Sequence, residues 1–291
     1  MGYILEIDNL KKEFSDFSLK GIGFSLEKGC IMGFIGPNGA GKTTTIKLIM
    51  NLLKKDGGEI RVFGLDNIKY EKEIKNRVGF VYDVNCFYEE LTVDEMKKII
   101  APFYKEWDEE AYKSYLKKFA ITFNKKIKDL SRGMKMKYSL ALALSHNAEL
   151  LIMDEPTSGL DPLVRREMLD ILMDVVQDEN KSVFFSTHIT SDLERIADYI
   201  TFIDDGNIVF SKSKDDIMDN FGLVKGPMEL LDEDIRKLFI GFKESSFGFE
   251  GLVANKYEAR KILNDKVIIE KPTLDDIMVY FSRRKSNDSI N

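Results

Sequence analysis

Short apolar runs, each bounded by glycine or charged residues, occupy the first part of the chain and predict strands. A helical repeat follows the third run, because Ile46, Ile49 and Leu53 recur at three- and four-residue spacing. The pattern therefore predicts a sheet whose strands are interrupted by one helix. In single-letter code the runs are YILEI, FSLKGIGFSL, CIMGFIG, EIRVFG and VGFVYD.

The pattern changes from strand to helix at Thr92. Thr92 and Glu95 have the spacing of a capping box, and apolar residues follow at helical intervals. A second helix is predicted at about residues 109–119, where aromatic residues and leucine share one face. The segment from about residue 86 to residue 146 is therefore predicted to be a helical insert.

Strand patterns resume at residues 150–154 and 183–186, with a helix predicted between them that starts near Pro162. Strands that alternate with helices indicate a mostly parallel sheet. Ser191 and Glu194 have the spacing of another capping box, and YITFIDDGNIVFS is typical of a hairpin that turns at its Asp-Gly pair. The hairpin is expected to complete the core domain, residues 1–212.

The composition changes after residue 212, where polar residues and a Gly-Pro pair break the pattern. Residues 213–291 are predicted to form a small accessory α/β region with a last helix capped by Thr273 and an irregular polar tail from Ser282. Dimer contact or regulation is the role that we expect for this region.

Composition and charge narrow the class of protein. The 291 residues are 44% hydrophobic and carry a net charge of -6, which indicates a globular protein and disfavours nucleic acid as a partner. The two cysteines, Cys30 and Cys86, lack metal-ligand spacing and fit a reducing cytosol. Neither a secretory signal pattern nor an apolar run of membrane-spanning length is present, so the chain is not expected to cross a membrane by itself.

A glycine-rich segment between the third strand and the first helix matches the pattern G-x-x-x-x-G-K-[ST]. Its backbone N–H groups and the helix N-terminus are suited to phosphate, Lys42 to the β- and γ-phosphates, and the Thr43 hydroxyl to Mg²⁺. An ordinary turn is the alternative, which the Lys-Thr pair in register disfavours. The residues predicted to bind the nucleotide here are Gly36, Pro37, Asn38, Gly39, Ala40, Gly41, Lys42, Thr43 and Thr44.

Two adjacent carboxylates end the strand LLIMD. Asp154 is predicted to hold the hydrated Mg²⁺, and Glu155 to orient and deprotonate an attacking water. His188, after the next strand, is predicted to donate a hydrogen bond to the γ-phosphate. Taken alone, the carboxylates fit an exposed turn and a histidine fits packing, and His146 is interpreted as structural.

The segment LSRGMKMK precedes an apolar helix and places Ser131 and Gly133 at its N-terminus. This arrangement can form a second anion site, although ordinary helix capping is the usual explanation of such a segment when it is taken alone. One chain does not need two such sites for one phosphate. A site shared between two subunits is the interpretation that we favour.

Together, GPNGAGKT, LSRGMK, LLIMDEP, SGLD and STH resemble the nucleotide-binding subunit of an ATP-binding-cassette transporter over about residues 5–211. The resemblance implies an α/β fold: a P-loop NTPase core with a mixed sheet, the helical insert and the C-terminal appendage. It also implies that Phe14 stacks on adenine, that Ser131 and Gly133 contact the γ-phosphate held by an opposing subunit, and that Asp161 lies at the dimer seam.

The chain departs from the family pattern at two places. Arg132 and Met134 replace residues of the usual LSGGQ signature, and function is expected to survive this change. Asp83 stands where the family commonly has glutamine. A carboxylate there can bind Mg²⁺ but cannot donate a hydrogen bond as an amide does.

The resemblance implies a cytoplasmic ATPase that binds ATP and Mg²⁺, dimerises with itself or a related cassette, and drives a separate membrane permease, as in bacterial exporters. Asn85, Phe87 and Tyr88 are predicted to offer the docking surface, with core packing as the alternative for the aromatic residues. Two other functions remain open. They are a soluble cassette mechanoenzyme acting on ribosomes or DNA, and a nucleotide-regulated binding module without catalysis.

Overall fold

The computed structural model describes residues 2–82 and 86–288, with side chains for all of these except residue 265 and residues 282–288. The chain divides into two units, Met1–Ser211 and Lys212–Asn291. Buried hydrophobic residues form a core within each unit. Each unit therefore has the packing of a domain that buries its own apolar side chains.

The first unit combines strands of two sheets with the helices that connect them. In chain order its elements are β1 (Tyr3–Glu13), β2 (Ser18–Glu27), β3 (Ile31–Ile35), α1 (Lys42–Ile49), β4 (Gly57–Val62), β5 (Leu65–Asp66), α2 (Glu71–Arg77), β6 (Val78–Val81), α3 (Val93–Ile100), α4 (Glu109–Lys118), α5 (Arg132–Leu144), β7 (Leu150–Asp154), α6 (Pro162–Val175), β8 (Ser182–Thr187), α7 (Thr190–Ile196), β9 (Tyr199–Asp204) and β10 (Asn207–Ser213).

The central sheet has the strand order β10-β9-β3-β8-β7-β6, and the pairs from β9 to β6 are parallel. Every residue of β3, β7 and β8 is buried. Their largely apolar sequences are typical of strands covered on both faces. The carboxyl ends of these strands meet at one edge of the sheet, so the segments that follow them, which contain Gly36, Glu155 and His188, start from the same edge.

The second sheet of this unit is antiparallel, with the strand order β2-β1-β4-β5. Buried and more exposed residues alternate along β2 and at the end of β4, where Ile60 and Val62 are buried. Such alternation is typical of a sheet that packs one face against a core. The predicted α/β class with both parallel and antiparallel strands is confirmed.

Helices α3, α4 and α5 follow one another between β6 and β7. The predicted capping box begins α3: the Thr92 hydroxyl accepts a hydrogen bond from the Glu95 N–H, and the Glu95 carboxylate accepts one from the Thr92 N–H. Tyr112 and Tyr138 are fully buried, and Tyr138 donates its hydroxyl to the Val93 carbonyl at 2.9 Å. The predicted helices of this segment are confirmed.

The predicted capping box at Ser191 and Glu194 is wrong. α7 begins at Thr190, and no described side chain caps its first amide groups. The Ser191 hydroxyl lies inside the helix and accepts a hydrogen bond from Arg165 at 2.7 Å. A partner distant in sequence therefore uses the hydroxyl that the local pattern assigned to a cap.

The second unit contains an antiparallel sheet with the strand order β12-β13-β11-β14, which gives the order of a split β-α-β arrangement. Thr273 caps the last helix of this unit, as predicted. The helix continues to Asp288, so the prediction of an irregular tail is wrong for residues 282–288. Its elements are α8 (Lys214–Asn220), β11 (Gly222–Gly226), α9 (Glu233–Arg236), β12 (Phe239–Ser245), β13 (Gly248–Val253), α10 (Lys256–Leu263), β14 (Ile268–Glu270) and α11 (Leu274–Asp288).

The helices also bear on the expectation about membranes. Within residues 2–82 and 86–288, none of them is both long enough and apolar enough to span a bilayer.

Candidate functional site

The glycine-rich loop leads from the end of β3 into α1, and two of its positions accept only glycine. A Cβ atom on Gly36 would lie 2.1 Å from the Ile203 carbonyl oxygen, and Gly41 has a φ of 114°. No described side chain caps α1, whose N-cap residue is Gly41 itself. The loop therefore presents backbone N–H groups of the kind that bind phosphate at a helix N-terminus.

Lys42 is the first residue of α1, and its side chain is only 6% exposed. The ammonium donates hydrogen bonds to the carbonyl oxygens of Gly36 at 2.8 Å and Pro37 at 3.2 Å. It also lies 3.4 Å from Glu155 Oε1. Because a buried ammonium is costly without partners, these oxygens stabilise it inside the site, where an anion can exchange with them.

Asp154 ends β7 and is buried, and its Oδ1 atom accepts a hydrogen bond from the Ser186 hydroxyl of β8 at 2.6 Å. The same hydroxyl accepts a hydrogen bond from the Glu155 N–H at 3.0 Å. Ser186 therefore links β8 to β7 and holds the backbone between Asp154 and Glu155.

Glu155 has a left-handed backbone with a φ of 49°, which is uncommon for a residue with a side chain. Its Oε2 atom lies 2.8 Å from His188 Nδ1, and its Oε1 atom faces Lys42. One carboxylate thus contacts a cation and an imidazole. Such a trio can bind an anion and accept a proton from water.

These side chains surround a cavity of about 630 Å³. Phe14 and Phe17 border it, with ring centroids 6.4 Å apart, in the turn that the Phe14 N–H closes on the Phe17 carbonyl. Phe17 and Ser158 were not predicted. The sequence signal for Phe17 is a second aromatic residue in the same short turn as Phe14. The described residues that line the cavity are Phe14, Phe17, Asn38, Gly39, Gly41, Lys42, Thr43, Thr44, Glu155, Ser158 and His188.

The other predicted site residues lie apart from this lining. Gly36, Pro37 and Ala40 belong to the loop, but the first two turn carbonyl oxygens toward Lys42 and Ala40 is buried beneath. Asp154 is buried behind Glu155. Asp83 lies outside the described residues.

Ser131 and Gly133 begin α5 and do not line the cavity of their own chain, as far as the described residues show. The Ser131 hydroxyl accepts a hydrogen bond from the Met134 N–H at 3.2 Å. Gly133 packs on α6, because a Cβ atom there would lie 2.9 Å from a methyl carbon of Val164. The helix capping that was the alternative for this segment is present, and Ser131 and Gly133 are not among the described residues that line the cavity.

The fold and the cavity together define a class of protein, the P-loop nucleotide-binding proteins, since a parallel sheet delivers a phosphate loop and a carboxylate pair to one edge. A family model described as ABC transporter matches residues 19–158. The bacitracin transport ATP-binding protein BcrA of Bacillus licheniformis is 35% identical over 212 residues, which cover 72% of this chain and 69% of the relative. The chain belongs to the ABC transporter family, as an ATP-binding subunit.

Two further proteins show the same similarity. The linearmycin resistance ATP-binding protein LnrL of Bacillus subtilis is 35% identical over 225 residues, which cover 75% of this chain and 72% of the relative. A solved ATP-binding subunit of an ABC transporter superposes with a TM-score of 0.65 at 28% identity, covering 74% of this chain and 91% of that one. The P-loop NTPase fold and the family resemblance stated from the sequence are confirmed.

Proposed function

We propose that this chain hydrolyses ATP at the cytoplasmic face of a membrane and thereby powers export through a separately encoded permease. The observation that carries the proposal is the contact of Glu155 with both Lys42 and His188 beside the phosphate loop. The names of two relatives, one for bacitracin transport and one for linearmycin resistance, support export as the direction.

The chemistry follows from where each side chain lies. Lys42 and the loop N–H groups bind the β- and γ-phosphates, and the exposed faces of Phe14 and Phe17 stack on the base. Glu155 accepts the proton of the attacking water, and His188, whose Nδ1 atom lies 2.8 Å from Glu155 Oε2, donates a hydrogen bond to the γ-phosphate. Lys42 leaves Glu155 for the phosphates, so the carboxylate then faces the water.

The residues present also fit Mg²⁺, which prefers hard oxygen ligands and needs only one or two from the protein when a nucleotide supplies others. Thr43 lines the cavity, and the buried Asp154 carboxylate has one described hydrogen-bond donor, Ser186. Asp83 is the third proposed ligand. When bound, the ion neutralises charge on the phosphates.

A dimer gives Ser131 and Gly133 a role that they do not have within their own chain. They stand at the N-terminus of α5, a helix of 13 residues, and are not among the described residues that line the cavity of the same chain. In a head-to-tail dimer the N-terminus of this helix binds the γ-phosphate held by the partner, with Asp161 at the seam. The second subunit is another copy of the chain or a related cassette.

The permease is proposed to dock in an apolar groove of about 370 Å³ that lies beside α3 and α5. Phe87 lines this groove and packs edge-on against Tyr138 at 5.1 Å, so it belongs partly to the core. Tyr88 is 66% exposed and outside the groove lining. Asn85, also predicted for this surface, lies outside the described residues. The other lining residues are Leu52, Phe80, Tyr82, Cys86, Ile100, Tyr104, Ser139, Leu142 and Ala143.

The test of catalysis uses two glutamates that flank the same strand. Glu155→Gln should lower kcat by about 10²-fold or more without weakening ATP binding, because an amide cannot accept the proton. Glu149→Gln, which loses an ion pair with Arg77 at the other end of β7, should keep kcat. Phosphate release and equilibrium nucleotide binding measure both. A wild-type rate in Glu155→Gln contradicts the assignment.

The test of the partner uses the same Glu155→Gln chain, tagged and expressed in its native membranes with ATP and Mg²⁺. Mass spectrometry of the purified complex should identify one polytopic membrane protein in near-equal amount. Recovery of ribosomes or DNA in its place would contradict the transporter assignment and favour the soluble mechanoenzyme.

A further inference from the structure

A buried carboxylate outside the cavity, Asp192, joins three segments of the first unit. It lies in α7 and is 1% exposed. Its Oδ2 atom accepts a hydrogen bond from the Thr157 hydroxyl at 2.5 Å, and its Oδ1 atom accepts one from Arg165 Nε at 2.6 Å. Because a buried carboxylate is costly unless it is paired and hydrogen-bonded, both contacts are needed to keep it there.

Arg165 holds the same helix at a second point. Its Nη2 atom donates to the Ser191 hydroxyl at 2.7 Å, next to the Asp192 contact. A planar guanidinium that uses two different nitrogen atoms fixes direction as well as distance. We call the four residues Thr157, Arg165, Ser191 and Asp192 the Asp192 brace.

Each arm of the Asp192 brace starts close to a residue of the site. Thr157 follows Glu155 by two positions, and Asp192 follows His188 by four. Thr157 is 1% exposed and takes part in two turns: the Ser158 N–H bonds the Glu155 carbonyl, and the Leu160 N–H bonds the Thr157 carbonyl. The loop after Glu155 is therefore anchored at its middle by Asp192.

Glu155 needs such an anchor. Its φ of 49° is a backbone conformation that persists for a residue with a side chain only where the surroundings impose it. Ser186 holds the backbone before this point, through the Glu155 N–H. Among the described side-chain hydrogen bonds, only the Thr157 contact ties the loop after Glu155 to α7. His188 lies just before α7.

We propose that Asp192 is a positioning residue, which sets the separation between Glu155 and His188 by tying the loop that follows Glu155 to the helix that follows His188. Arg165 holds Asp192 in place from α6, whose first turn is capped by Asp161. The proposal rests on the proposed ATP hydrolysis for its kinetic consequence, but its structural consequence does not depend on turnover.

The chain offers a matched control. Arg195 of α7 donates to Asp170 of α6 at 2.6 Å, so this ion pair joins the same two helices as the Asp192 brace. None of the described hydrogen bonds and ion pairs joins it to Thr157, and both side chains are partly exposed. Asp170→Asn therefore removes a tie between α6 and α7 without touching the loop of Glu155.

The kinetic experiment compares Asp192→Asn, Thr157→Val, Arg165→Lys and Asp170→Asn in phosphate release and equilibrium ATP binding. Asp192→Asn and Thr157→Val should lower kcat by about tenfold or more at unchanged ATP affinity, because misplacement of about 1 Å costs up to 10²-fold. Arg165→Lys should keep part of the rate, and Asp170→Asn should stay within about twofold of the wild type. An unchanged kcat in Asp192→Asn and Thr157→Val, or an equal loss in Asp170→Asn, overturns the proposal.

A second readout does not need turnover. The chain has two histidines, and His146 is buried, so the imidazole ¹⁵N resonances of His188 are readily assigned. Asp192→Asn and Thr157→Val should move them toward those of Glu155→Gln, whereas Asp170→Asn should leave them in place.

The two readouts separate the two proposals. If the wild type does not hydrolyse ATP but the His188 resonances move in these variants, the proposed function fails and the Asp192 brace stands. If the wild type hydrolyses ATP and neither kcat nor the resonances change, the brace fails and the function stands. Thr157→Val keeps the Arg165–Asp192 pair, so it serves if Asp192→Asn does not fold.

Discussion

At the scale of single residues, the two histidines show how surroundings decide what one residue type does. The side chain of His188 is 46% exposed and contacts Glu155. His146 is 1% exposed and stacks on Tyr104, with ring centroids 3.8 Å apart. Burial lowers the pKa of His146 to about 4, because the charged imidazolium loses its hydration there. His146 is thus a neutral packing group, in line with its structural interpretation.

Acid should therefore destabilise the fold through His146. Its pKa lies near 6.5 in the unfolded chain and near 4 in the folded one. Above pH 6.5 neither state binds the proton, and between these values only the unfolded state does. As the pH is lowered from 6.5 toward 4, the free energy of unfolding should fall by about 1.4 kcal/mol per pH unit. Urea unfolding of wild type and His146→Phe from pH 7 to pH 4.5 measures this difference, and equal slopes would contradict it.

The residues that sequence analysis found and those that it missed differ in the range of their contacts. The loop around Lys42 and the pair Asp154 and Glu155 were predicted because local spacing carries their chemistry. Asp192 and Arg165 were missed, since the hydrogen bonds of Asp192 span 27 and 35 positions and leave no local pattern. Only the folded chain brings these residues together.

At the scale of elements, the two predicted capping boxes differ in their context. Thr92 and Glu95 stand at a helix start where, among the described residues, Glu95 alone bonds the Thr92 hydroxyl. Ser191 lies beside Arg165, and a charged donor outcompetes a cap. The pattern alone does not separate the two, because the competing group lies on another helix.

Removing the Thr92 cap should destabilise the first unit. Thr92→Ala deletes the hydroxyl that accepts the Glu95 N–H and bonds the Glu95 carboxylate, so the free energy of unfolding should fall by about 1 kcal/mol. Thr92→Ser keeps the hydroxyl and should cost much less. Urea titration of the three chains measures the difference. Equal losses in both variants would show that the lost methyl group, not the cap, is responsible.

At the scale of the whole molecule, the two units have separate cores, yet the second unit also exposes large apolar side chains. Phe247 is 97% exposed, Ile268 64% and Tyr257 58%. Exposed apolar groups of this size are candidates for contacts with another molecule when several occur together. Phe247 and Ile268 line the same cavity, and this pair supports the expectation that residues 213–291 contribute to the dimer.

Deleting the second unit should therefore weaken the ATP-bound dimer. In the Glu155→Gln background, a chain that ends at Ser213 keeps all of β10 and should need a higher concentration to dimerise with ATP than the full chain. Light scattering after size exclusion measures this, with circular dichroism as the control for folding. An unchanged dimer affinity would remove dimer contact as the role of this unit.

The contact between Lys42 and Glu155 makes ATP binding an exchange of partners rather than an addition to an open site. A phosphate that binds the Lys42 ammonium also separates it from the Glu155 carboxylate. The incoming ATP therefore frees the carboxylate that is proposed to activate the water for its own hydrolysis. A single ion pair then sets the order of binding and catalysis, because the Lys42 ammonium that binds the nucleotide is the same group that restrains Glu155, the proposed general base. A ligand too short to reach Lys42 should leave that restraint in force.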